Sequence, residues 1–450
     1  MLFENPRFND IIFNGKTYTN EILTFSIDAL ASFLDKKCLS SSPFIHLISY
    51  NHIKTLIAYF AIIKTGRIVV LIDPETGGLE LDEILKDAPP AAFFYSDNKQ
   101  EEWDYQKEIL FYYGKPRHAG HELDDVCTMV YTAADDGFTK AAMLTKKGMA
   151  SNAAAVVEAD CIGPDTISCA IIPFHHLYGL QTGLLGPVSG GGKMVIQDIS
   201  SLTKIKTIAD AVETHTVTNL YTTPVIYYLL MKYPEIKQVL KSVKSCVSGA
   251  HKLPVSLFNH FLEKTGIELH EGYGLTEASP ICTWHRPGDK IKPESVGRAF
   301  PGCRVVIMDQ EGSELPADQI GEVCVQGDNV MKGYYLCEET TRSVLNRGWL
   351  HTGDLGKLDE DGYLYLTGLK KRMLNVGGKK VYPAEVERFF KKNEQVKNAE
   401  ITGVSHEFEG DVVKGRVELV QSDERNQKAF IDWCKKNMSH YKIPSRIEFY

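Results

Sequence analysis

The residue types most able to do chemistry lie in two stretches of the 450-residue chain. The first, Ser248–Pro280, contains the segment GYGLTE, and the second, Gly348–Glu387, contains the triplet TGD that ends at Asp354. A carboxylate such as that of Asp354 can accept hydrogen bonds from two vicinal hydroxyls at once. Glycine and aspartate are also common turn residues, so the triplet alone would predict only a turn.

Taken together, the two stretches resemble the adenylate-forming superfamily of acyl- and aryl-CoA synthetases, luciferases and peptide-synthetase adenylation domains. The resemblance implies that Asp354, as a loop acid in a surface cleft, holds the ribose hydroxyls of ATP or of the acyl-adenylate. It further implies that Glu277 binds Mg²⁺ and that Thr276 contacts the phosphate. Tyr273 would then lie near the adenine ring.

The same resemblance implies a pocket for the acyl group. The segment Ile172–Leu180 resembles the family's Pro-x-x-His-x-x-Gly loop, in which His176 lies beside that pocket. A histidine in an apolar segment is more often a core residue, and both interpretations stay open. Gly272 and Gly274 are expected to let the backbone pass close to the ligand. The other positions expected to line the groove are Thr223, Ser248, Gly249 and Ala250.

The phosphate loop departs from the family pattern Thr-Ser-Gly-Thr-Thr-Gly-x-Pro-Lys-Gly. Here the segment Tyr131–Met143 reads YTAADDGFTKAAM. Thr132 and Gly137 match nucleotide-binding positions of the pattern, and Lys140 matches its lysine, for which the resemblance implies a catalytic role. Two adjacent aspartates replace the hydroxyl residues, and each would repel a phosphate by about 4 kcal/mol at about 4 Å. We therefore expect weakened pyrophosphate binding.

The hinge and the end of the sequence show two further departures. Where the family has Gly-Arg-x-Lys-Asp, this chain has Gly368 followed by Leu-Lys-Lys-Arg. Loss of the first arginine would remove a contact worth roughly 1.5–3 kcal/mol. The family's adenylation lysine follows a Tyr-Lys-x-Pro segment, and His440–Tyr450 reaches that segment and stops. Loss of such a cation typically lowers the rate about 10²- to 10³-fold, so we expect impaired adenylation.

Other parts of the hinge region match the family. Gly378 matches a glycine that, by the resemblance, lets a pantetheine arm pass the backbone in the thioester-forming conformation. The basic residues around it predict a patch that meets the phosphates of CoA or the acidic helix of a carrier protein. A solvated hinge face is the open alternative. These basic residues are Lys370, Lys371, Arg372, Lys379 and Lys380.

Length and pattern predict two domains of α/β type. A chain of 450 residues is too long for a single core. Alternating strands and helices predict largely parallel sheets, and among these elements are an amphipathic run at Ile53–Lys64 and an apolar strand at Ile68–Ile72. A further helix is predicted over Pro383–Lys392, with proline near its first turn. The resemblance implies a large N-terminal domain, residues 1–368, of parallel sheets sandwiched with helices plus a β-rich subdomain. A hinge would join it to a small α+β C-terminal domain, residues 369–450.

Composition excludes several classes of protein. The net charge of -8 argues against nucleic acid as the main partner. No apolar run approaches 18 residues, which argues against a transmembrane segment. The first residues, MLFENPRF, show no secretory signal, so a cytoplasmic location is expected. The 10 scattered cysteines have no metal-ligand spacing, which favours reduced thiols over disulfides or zinc.

These observations predict an acid–thiol ligase that uses ATP, Mg²⁺ and a small-molecule carboxylic acid. The acyl group would pass from an acyl-adenylate to the thiol of CoA or of a phosphopantetheinyl acyl carrier protein. Two alternatives stay open: a non-adenylating relative that performs only the acyl transfer, and a catalytically silent subunit that binds a partner. Because Gln181–Gly192 contains no acidic residue to anchor an amine, a fatty or aryl acid is favoured over an amino acid.

Overall fold

The computed structural model describes residues 2–96, 108–112, 121–132, 139–197, 205–370, 373–406, 410–421 and 423–450. Within these ranges the strands form four sheets, named A to D below. Sheet A is largely parallel, and sheet B has parallel central strands with antiparallel strands at both edges. Sheet C and most of sheet D are antiparallel. The predicted α/β architecture with a β-rich part is confirmed.

Sheet A aligns the carboxyl ends of its parallel strands at one edge. Thr222 and Ser248 are register partners there, and Ser248 is in turn opposite Glu271. Parallel α/β sheets bind ligands beyond this edge. The strands of sheet A, in spatial order over the described residues, are Arg298–Ala299, Ile281–Trp284, Leu269–Gly274, Ser245–Ser248, Asn219–Thr222, Ile167–Ala170, Lys193–Ile196, Ile11–Phe13 and Lys16–Tyr18.

Sheet B forms the second large layer of the molecule. Its strand Ile68–Ile72, predicted from an apolar run, is buried at every residue. Such continuous burial is typical of a parallel strand with both faces covered. The strands of sheet B, in spatial order within the described ranges, are Gly333–Tyr334, Lys140–Thr145, Val126–Thr132, Ile68–Ile72, Phe44–Ser49, Ala92–Ser96 and Ile109–Phe111.

The helix Ile53–Lys64 corrects one expectation. The sequence pattern predicted an amphipathic helix with a solvent face, but every residue from Ile53 to Ile63 is buried. The helix lies between the strands of sheet B and the helix Asn20–Lys37, so both of its faces are covered. Even Lys54 is buried, and its Nζ forms an ion pair of 2.7 Å with Glu108. The prediction of an exposed face was therefore wrong.

Sheet C is the β-rich part of the large domain, and it carries Asp354. Its hairpins are antiparallel, and Asp354 lies in its longest strand. The main path of sheet C consists of Cys303–Met308, Gly321–Gly327, Trp349–Leu358 and Leu345–Asn346, and Leu364–Leu369 pairs with Trp349–Leu358.

Sheet D and two helices form a separate core, which we call the C-terminal unit. Its interior includes Val381, Val386, Phe390 and Phe430. The helix predicted to begin at Pro383 begins there. The predicted domain boundary at Leu369 stays a prediction. Sheet D consists of Lys379–Val381, Leu374–Val376, Gly410–Leu419 and Val396–His406, with Arg446–Phe449 beside Gly410–Leu419.

The helices cover the faces of these sheets. None of those in the described ranges combines the length and apolarity needed to cross a bilayer. The expected cytoplasmic location stays a prediction. The α-helices are Asn20–Lys37, Ile53–Lys64, Gly78–Asp87, Lys146–Ala159, Leu177–Leu180, Gly186–Gly190, Ile205–Thr214, Pro224–Met231, Ile236–Val239, Val255–Thr265, Glu338–Val344, Pro383–Phe390 and Glu424–Asn437; Gln181–Leu185 is a π-helix, and His121–Leu123, Thr276–Ala278 and His440–Lys442 are 3₁₀-helices.

A buried group of charges joins the C-terminal unit to the helix Gly78–Asp87. Lys442 Nζ lies 2.9 Å from Glu80 Oε1 and 2.7 Å from Glu385 Oε1. Ser439 donates to the second oxygen of Glu80 from its backbone N–H, at 3.2 Å, and from its hydroxyl. The side chains of Lys442, Glu80 and Glu385 are 4, 8 and 5% exposed. One lysine therefore compensates two buried carboxylates at this junction.

Backbone packing brings the same two parts of the chain into close contact. A Cβ atom added to Gly77, which precedes the helix, would lie 2.4 Å from the carbonyl carbon of Asn437. Real Cβ atoms do not approach backbone this closely, so only glycine fits at residue 77 in this arrangement. Lys392 of the C-terminal unit also pairs with Glu83 on the helix.

We predict that Lys442→Met lowers the free energy of unfolding of the C-terminal unit by about 3–5 kcal/mol, because two buried carboxylates lose their shared cation. Urea denaturation with hydrogen exchange measured across Glu424–Asn437 tests this prediction. Lys414→Met is the matched control, since Lys414 is exposed on the same sheet. Equal losses in the two variants would contradict the stabilising role of the buried group.

Candidate nucleotide-binding site

The first part of the site lies just beyond the strand Leu269–Gly274. The 3₁₀-helix Thr276–Ala278 follows it and holds Glu277, which is 7% exposed. Glu277 Oε1 accepts a hydrogen bond of 2.7 Å from the hydroxyl of Tyr334, whereas Oε2 is buried and has no partner among the described residues. Buried polar atoms are rarely left unpaired. An unpaired carboxylate oxygen fits a hard cation such as Mg²⁺, which prefers oxygen ligands.

Asp354 forms the second part of the site. It lies in the strand Trp349–Leu358, directly after Gly353, whose φ of 76° suits glycine. Asp354 is only 7% exposed, so the expectation of an exposed cleft acid was wrong. The Tyr273 hydroxyl donates to Asp354 Oδ2, whereas Oδ1 has no donor within the described part of the chain. Burial and then the charge of Asp354 raise the Tyr273 pKa well above its usual range, so this hydroxyl stays protonated.

Glu322 holds the turn that precedes Asp354 in place, and sequence reasoning missed it. Its Oε1 accepts from the backbone N–H of Gly353 at 3.2 Å, and its Oε2 lies 3.0 Å from His351 Nδ1 and 3.1 Å from Lys370 Nζ. Burial raises the Glu322 pKa, but His351 and Lys370 lower it by more. The sulfur of Cys324 lies 3.4 Å from the same histidine nitrogen. Because Lys370 already compensates the carboxylate, we interpret this group as a brace and not as a metal site.

The two glycines of the GYGLTE segment permit close backbone contacts within the chain. A Cβ atom at Gly272 would lie 3.2 Å from the carbonyl oxygen of Thr283, and one at Gly274 would lie 2.0 Å from that of Pro280. The close approach that these glycines permit is therefore to the adjacent strand of the same chain. Their assignment to nucleotide binding stays a prediction.

The predicted acyl groove lies along the same edge of sheet A. Ser248 is fully buried, and its hydroxyl has no partner among the described residues. The ring of Tyr178 packs on Gly249, where an added Cβ atom would lie 2.9 Å from the ring carbon Cζ. Thr223 precedes the helix Pro224–Met231, and Ala250 has a φ of 67°. Tyr178, which the sequence did not indicate, thus covers part of the groove.

His176 lies between this groove and the C-terminal unit. Its Nδ1 accepts from the backbone N–H of Tyr178 at 3.3 Å, and its ring also hydrogen-bonds the backbone of Gly378. Burial, with smaller contributions from the charges of His175 and Lys379, lowers its pKa to about 4. The ring is therefore neutral near pH 7. Its role beside the acyl group stays a prediction.

The hairpin of Leu374–Val376 and Lys379–Val381 lies directly against the groove. Asn375 Nδ2 donates to the carbonyl oxygen of Ala250 at 3.1 Å. A Cβ atom added to Gly378, whose φ is 90°, would lie 2.9 Å from Ala250 Cβ. Gly378 thus permits the contact between the hairpin and the groove, and its predicted role toward pantetheine stays untested.

Two lysines of the predicted basic patch are paired with acids of the chain, which corrects the prediction of one patch. Lys379 forms an ion pair with Asp73, and Lys370 forms one with Glu322 at 3.1 Å. His175 Nε2 also lies 3.5 Å from Asp73. Burial raises the Asp73 pKa, but His175 and Lys379 lower it to about 2. These two lysines are therefore committed to acids of the chain and do not form one solvent-facing patch.

The predicted phosphate loop is described only at its two ends. Thr132 and Lys140 are register partners of the antiparallel strands Val126–Thr132 and Lys140–Thr145 in sheet B. Lys140 is buried at 4% exposure. The predicted nucleotide-binding Gly137 and the two aspartates of the loop lie outside the described residues, as do Lys371 and the predicted hinge residue Arg372.

The predicted residues fall into clear groups. Glu277, Asp354 and Tyr273 come together beyond the edge of sheet A, and Thr276 adjoins Glu277 as a half-buried residue. The groove residues His176, Ser248, Gly249 and Ala250 lie beside them, facing Gly378. The functional contacts that the sequence missed are those of Tyr334, Glu322 and Tyr178.

Comparisons with known proteins agree with this arrangement. A family model described as AMP-binding enzyme matches residues 4–335. The chain is 29% identical to a long-chain-fatty-acid–CoA ligase of Bacillus subtilis (strain 168) over 98% of this chain and 89% of that protein. It is 26% identical to a feruloyl-CoA synthase of Amycolatopsis sp. over 99% of this chain and 92% of that protein.

Solved structures share the fold. An amide bond synthetase from Marinactinospora thermotolerans superposes with a TM-score of 0.85 at 21% identity, covering 100% of this chain and 94% of that chain. An o-succinylbenzoate-CoA synthetase from Bacillus subtilis gives 0.84 at 24% identity, covering 99% and 92% of the two chains. The family resemblance drawn from the two motif stretches is thereby confirmed. By its match over residues 4–335, the chain belongs to the AMP-binding enzyme family.

Proposed function

We propose that this protein is an AMP-forming acid–thiol ligase. The observation that carries the proposal is the pair of buried carboxylates, Glu277 and Asp354, at the carboxyl edge of sheet A. Each has one oxygen held by a tyrosine hydroxyl and a second oxygen without a donor in the described part of the chain. One carboxylate suits a cation and the other suits ribose hydroxyls, and ATP with Mg²⁺ supplies both.

Asp354 binds the ribose in this proposal. Tyr273 occupies its Oδ2, so Oδ1 is the oxygen left to accept a hydroxyl. Glu322 fixes the turn by holding the N–H of Gly353, so the carboxylate is already oriented before the nucleotide arrives. A preorganised acceptor loses little conformational entropy on binding, which favours affinity.

Glu277 would hold Mg²⁺ through its unpaired Oε2, and Tyr334 fixes the orientation of the carboxylate through Oε1. The cation supplies charge neutralisation at the phosphates when ATP is bound. Thr276, the neighbouring residue, offers a hydroxyl to the same phosphates. Cys324 and His351, which lie near Glu322, have no role in the proposed reaction.

Two steps complete the reaction. The carboxylate of the acid attacks the α-phosphorus of ATP, which forms an acyl-adenylate and releases pyrophosphate. A pantetheine thiolate then attacks the acyl carbonyl carbon, which forms a thioester and releases AMP. The contact of Gly378 with Ala250 supports this second step, because it holds the hairpin against the proposed acyl groove. CoA is the proposed acceptor, and a phosphopantetheinyl acyl carrier protein is the alternative.

The proposed acid is a fatty or aryl acid. The groove is bordered by the ring of Tyr178 and by Gly249 and Ala250, and His176 is neutral near pH 7. An apolar, aromatic border suits an apolar acyl group. The relatives named as ligases for long-chain fatty acids and as a feruloyl-CoA synthase support this class.

A two-part assay tests the proposal and its alternatives. With ATP, Mg²⁺, CoA and a panel of fatty and aryl acids, we expect pyrophosphate release together with thioester formation. Because two aspartates occupy the phosphate loop, we predict that transfer from synthetic acyl-AMP to CoA is faster than the ATP-dependent step. Transfer without any pyrophosphate release would indicate the transfer-only alternative. Failure of both steps would indicate a catalytically silent subunit.

We predict that Asp354→Ala weakens AMP binding by about 10- to 100-fold, because the charge-assisted hydrogen bond from a ribose hydroxyl to Oδ1 is lost. Calorimetric titration with AMP measures the change, and circular dichroism checks the fold. Asp165→Ala, at an exposed loop acid, is the control and should bind AMP normally. Unchanged affinity in Asp354→Ala would remove the central assignment of the site.

We predict that Glu277→Gln lowers the rate of ATP-dependent adenylation about 10²- to 10³-fold and abolishes its response to Mg²⁺, because the cation loses its charged ligand. Tyr334→Phe keeps the carboxylate and removes only the hydroxyl that orients it. It should therefore respond to Mg²⁺ with a lower apparent affinity. A Glu277→Gln variant with the Mg²⁺ dependence of the parent would refute the assignment.

A further inference from the structure

The hairpin that docks on the groove carries two adjacent lysines with different surroundings. Successive side chains of a strand point to opposite faces. Lys379 points toward Asp73, its ion-pair partner, and its Nζ lies 4.5 Å from the centre of the Tyr441 ring. Lys380 follows it in the strand Lys379–Val381 and so points to the other face of the hairpin.

On that other face the charge of Lys380 is close enough to act on the two carboxylates of the nucleotide site, without an ion pair to either. It interacts electrostatically with Glu277 and Asp354, and with Tyr382 of its own segment. Burial lowers its pKa, but the carboxylates raise it by more, so the ammonium group stays charged. Unlike Lys379, it forms no ion pair within 4.0 Å with any described residue.

The position of Lys380 is fixed by the packing of the hairpin. Its register partner Asn375 donates to the carbonyl oxygen of Ala250 at 3.1 Å. The Asn375 side chain also accepts from the backbone N–H of Gly378 at 2.9 Å, which closes the turn. In the docked arrangement, the hairpin therefore keeps Lys380 next to the groove.

A charge in this position needs an anionic partner that the protein does not supply at contact distance. Glu277 and Asp354 have their near contacts to neutral tyrosine hydroxyls, and both would repel the phosphate of a nucleotide bound at Asp354. An ammonium group facing both acids offsets that repulsion. Such a group also donates directly to phosphate oxygens.

We propose that Lys380 binds the phosphate of the acyl-adenylate and of AMP while the hairpin lies on the groove. This inference rests on the proposed function, because it requires a nucleotide whose ribose is held by Asp354. It assigns Lys380 to the half-reaction in which the docked hairpin is present, namely transfer of the acyl group from the adenylate to the thiol. AMP is the leaving group of that step, and Lys380 stabilises the negative charge on its phosphate.

The comparison of AMP with adenosine tests the inference, because the two ligands differ only in the phosphate. In calorimetric titrations without Mg²⁺, Lys380→Gln should weaken AMP binding about 10- to 100-fold, as expected for loss of one charge-assisted contact, and leave adenosine binding unchanged. Lys380→Arg keeps the charge and should retain most of the AMP affinity. Lys414→Gln, on an exposed face of sheet D, is the matched control and should change neither.

Several outcomes would overturn the inference. Equal losses for AMP and adenosine in Lys380→Gln would mean that the lysine only balances the acids or supports the fold. Full AMP affinity in that variant would exclude a phosphate contact. A parent protein that binds adenosine as tightly as AMP would overturn this inference and leave the ribose site of Asp354 intact, whereas a parent that binds neither ligand would overturn the proposed function as well.

Discussion

The structure depends on how two buried carboxylates are accommodated close together. Burying a charge is costly unless partners offset the loss of water. Glu277 receives a hydroxyl from Tyr334 of sheet B, and Asp354 of sheet C receives one from Tyr273 of sheet A. Lys380 adds a positive charge from sheet D. Each of the four sheets therefore contributes one group to the site or to the compensation of its buried charges. The position of each sheet thus affects the electrostatics of the site.

Local signals in the sequence predicted local structure well. The apolar run of Ile68–Ile72 gave a buried strand, and Pro383 begins a helix as its fixed φ favours. Which residues belong to the site was predicted only by the family resemblance. Tyr334 and Glu322 were missed because they contact Glu277 and Gly353 across 57 and 31 residues of sequence. No periodicity or spacing within one element reports such a contact.

The predictions that were wrong share a physical cause. Periodicity along Ile53–Lys64 indicates which side chains are apolar, but it does not report how many neighbours cover the helix. Counting basic residues in the hinge region ignored the alternation of a strand, which separates Lys379 from Lys380. The glycines of GYGLTE were expected to make room for a ligand, which stays a prediction; the structure shows that they also admit neighbouring backbone, as at Gly274. In each case the sequence indicates a local property of the segment, whereas the contacts of that segment in the fold depend on residues distant in sequence.

Gly77 has a consequence for how this protein can change over time. The docked arrangement leaves no room for a Cβ atom there, since the backbone of Asn437 occupies that space. The side chain of any other residue at this position would push the C-terminal unit away from the helix Gly78–Asp87, without touching the nucleotide site. A lineage that relies on docking would therefore retain glycine at residue 77. A substitution at this position would identify a lineage that no longer needs the docked arrangement.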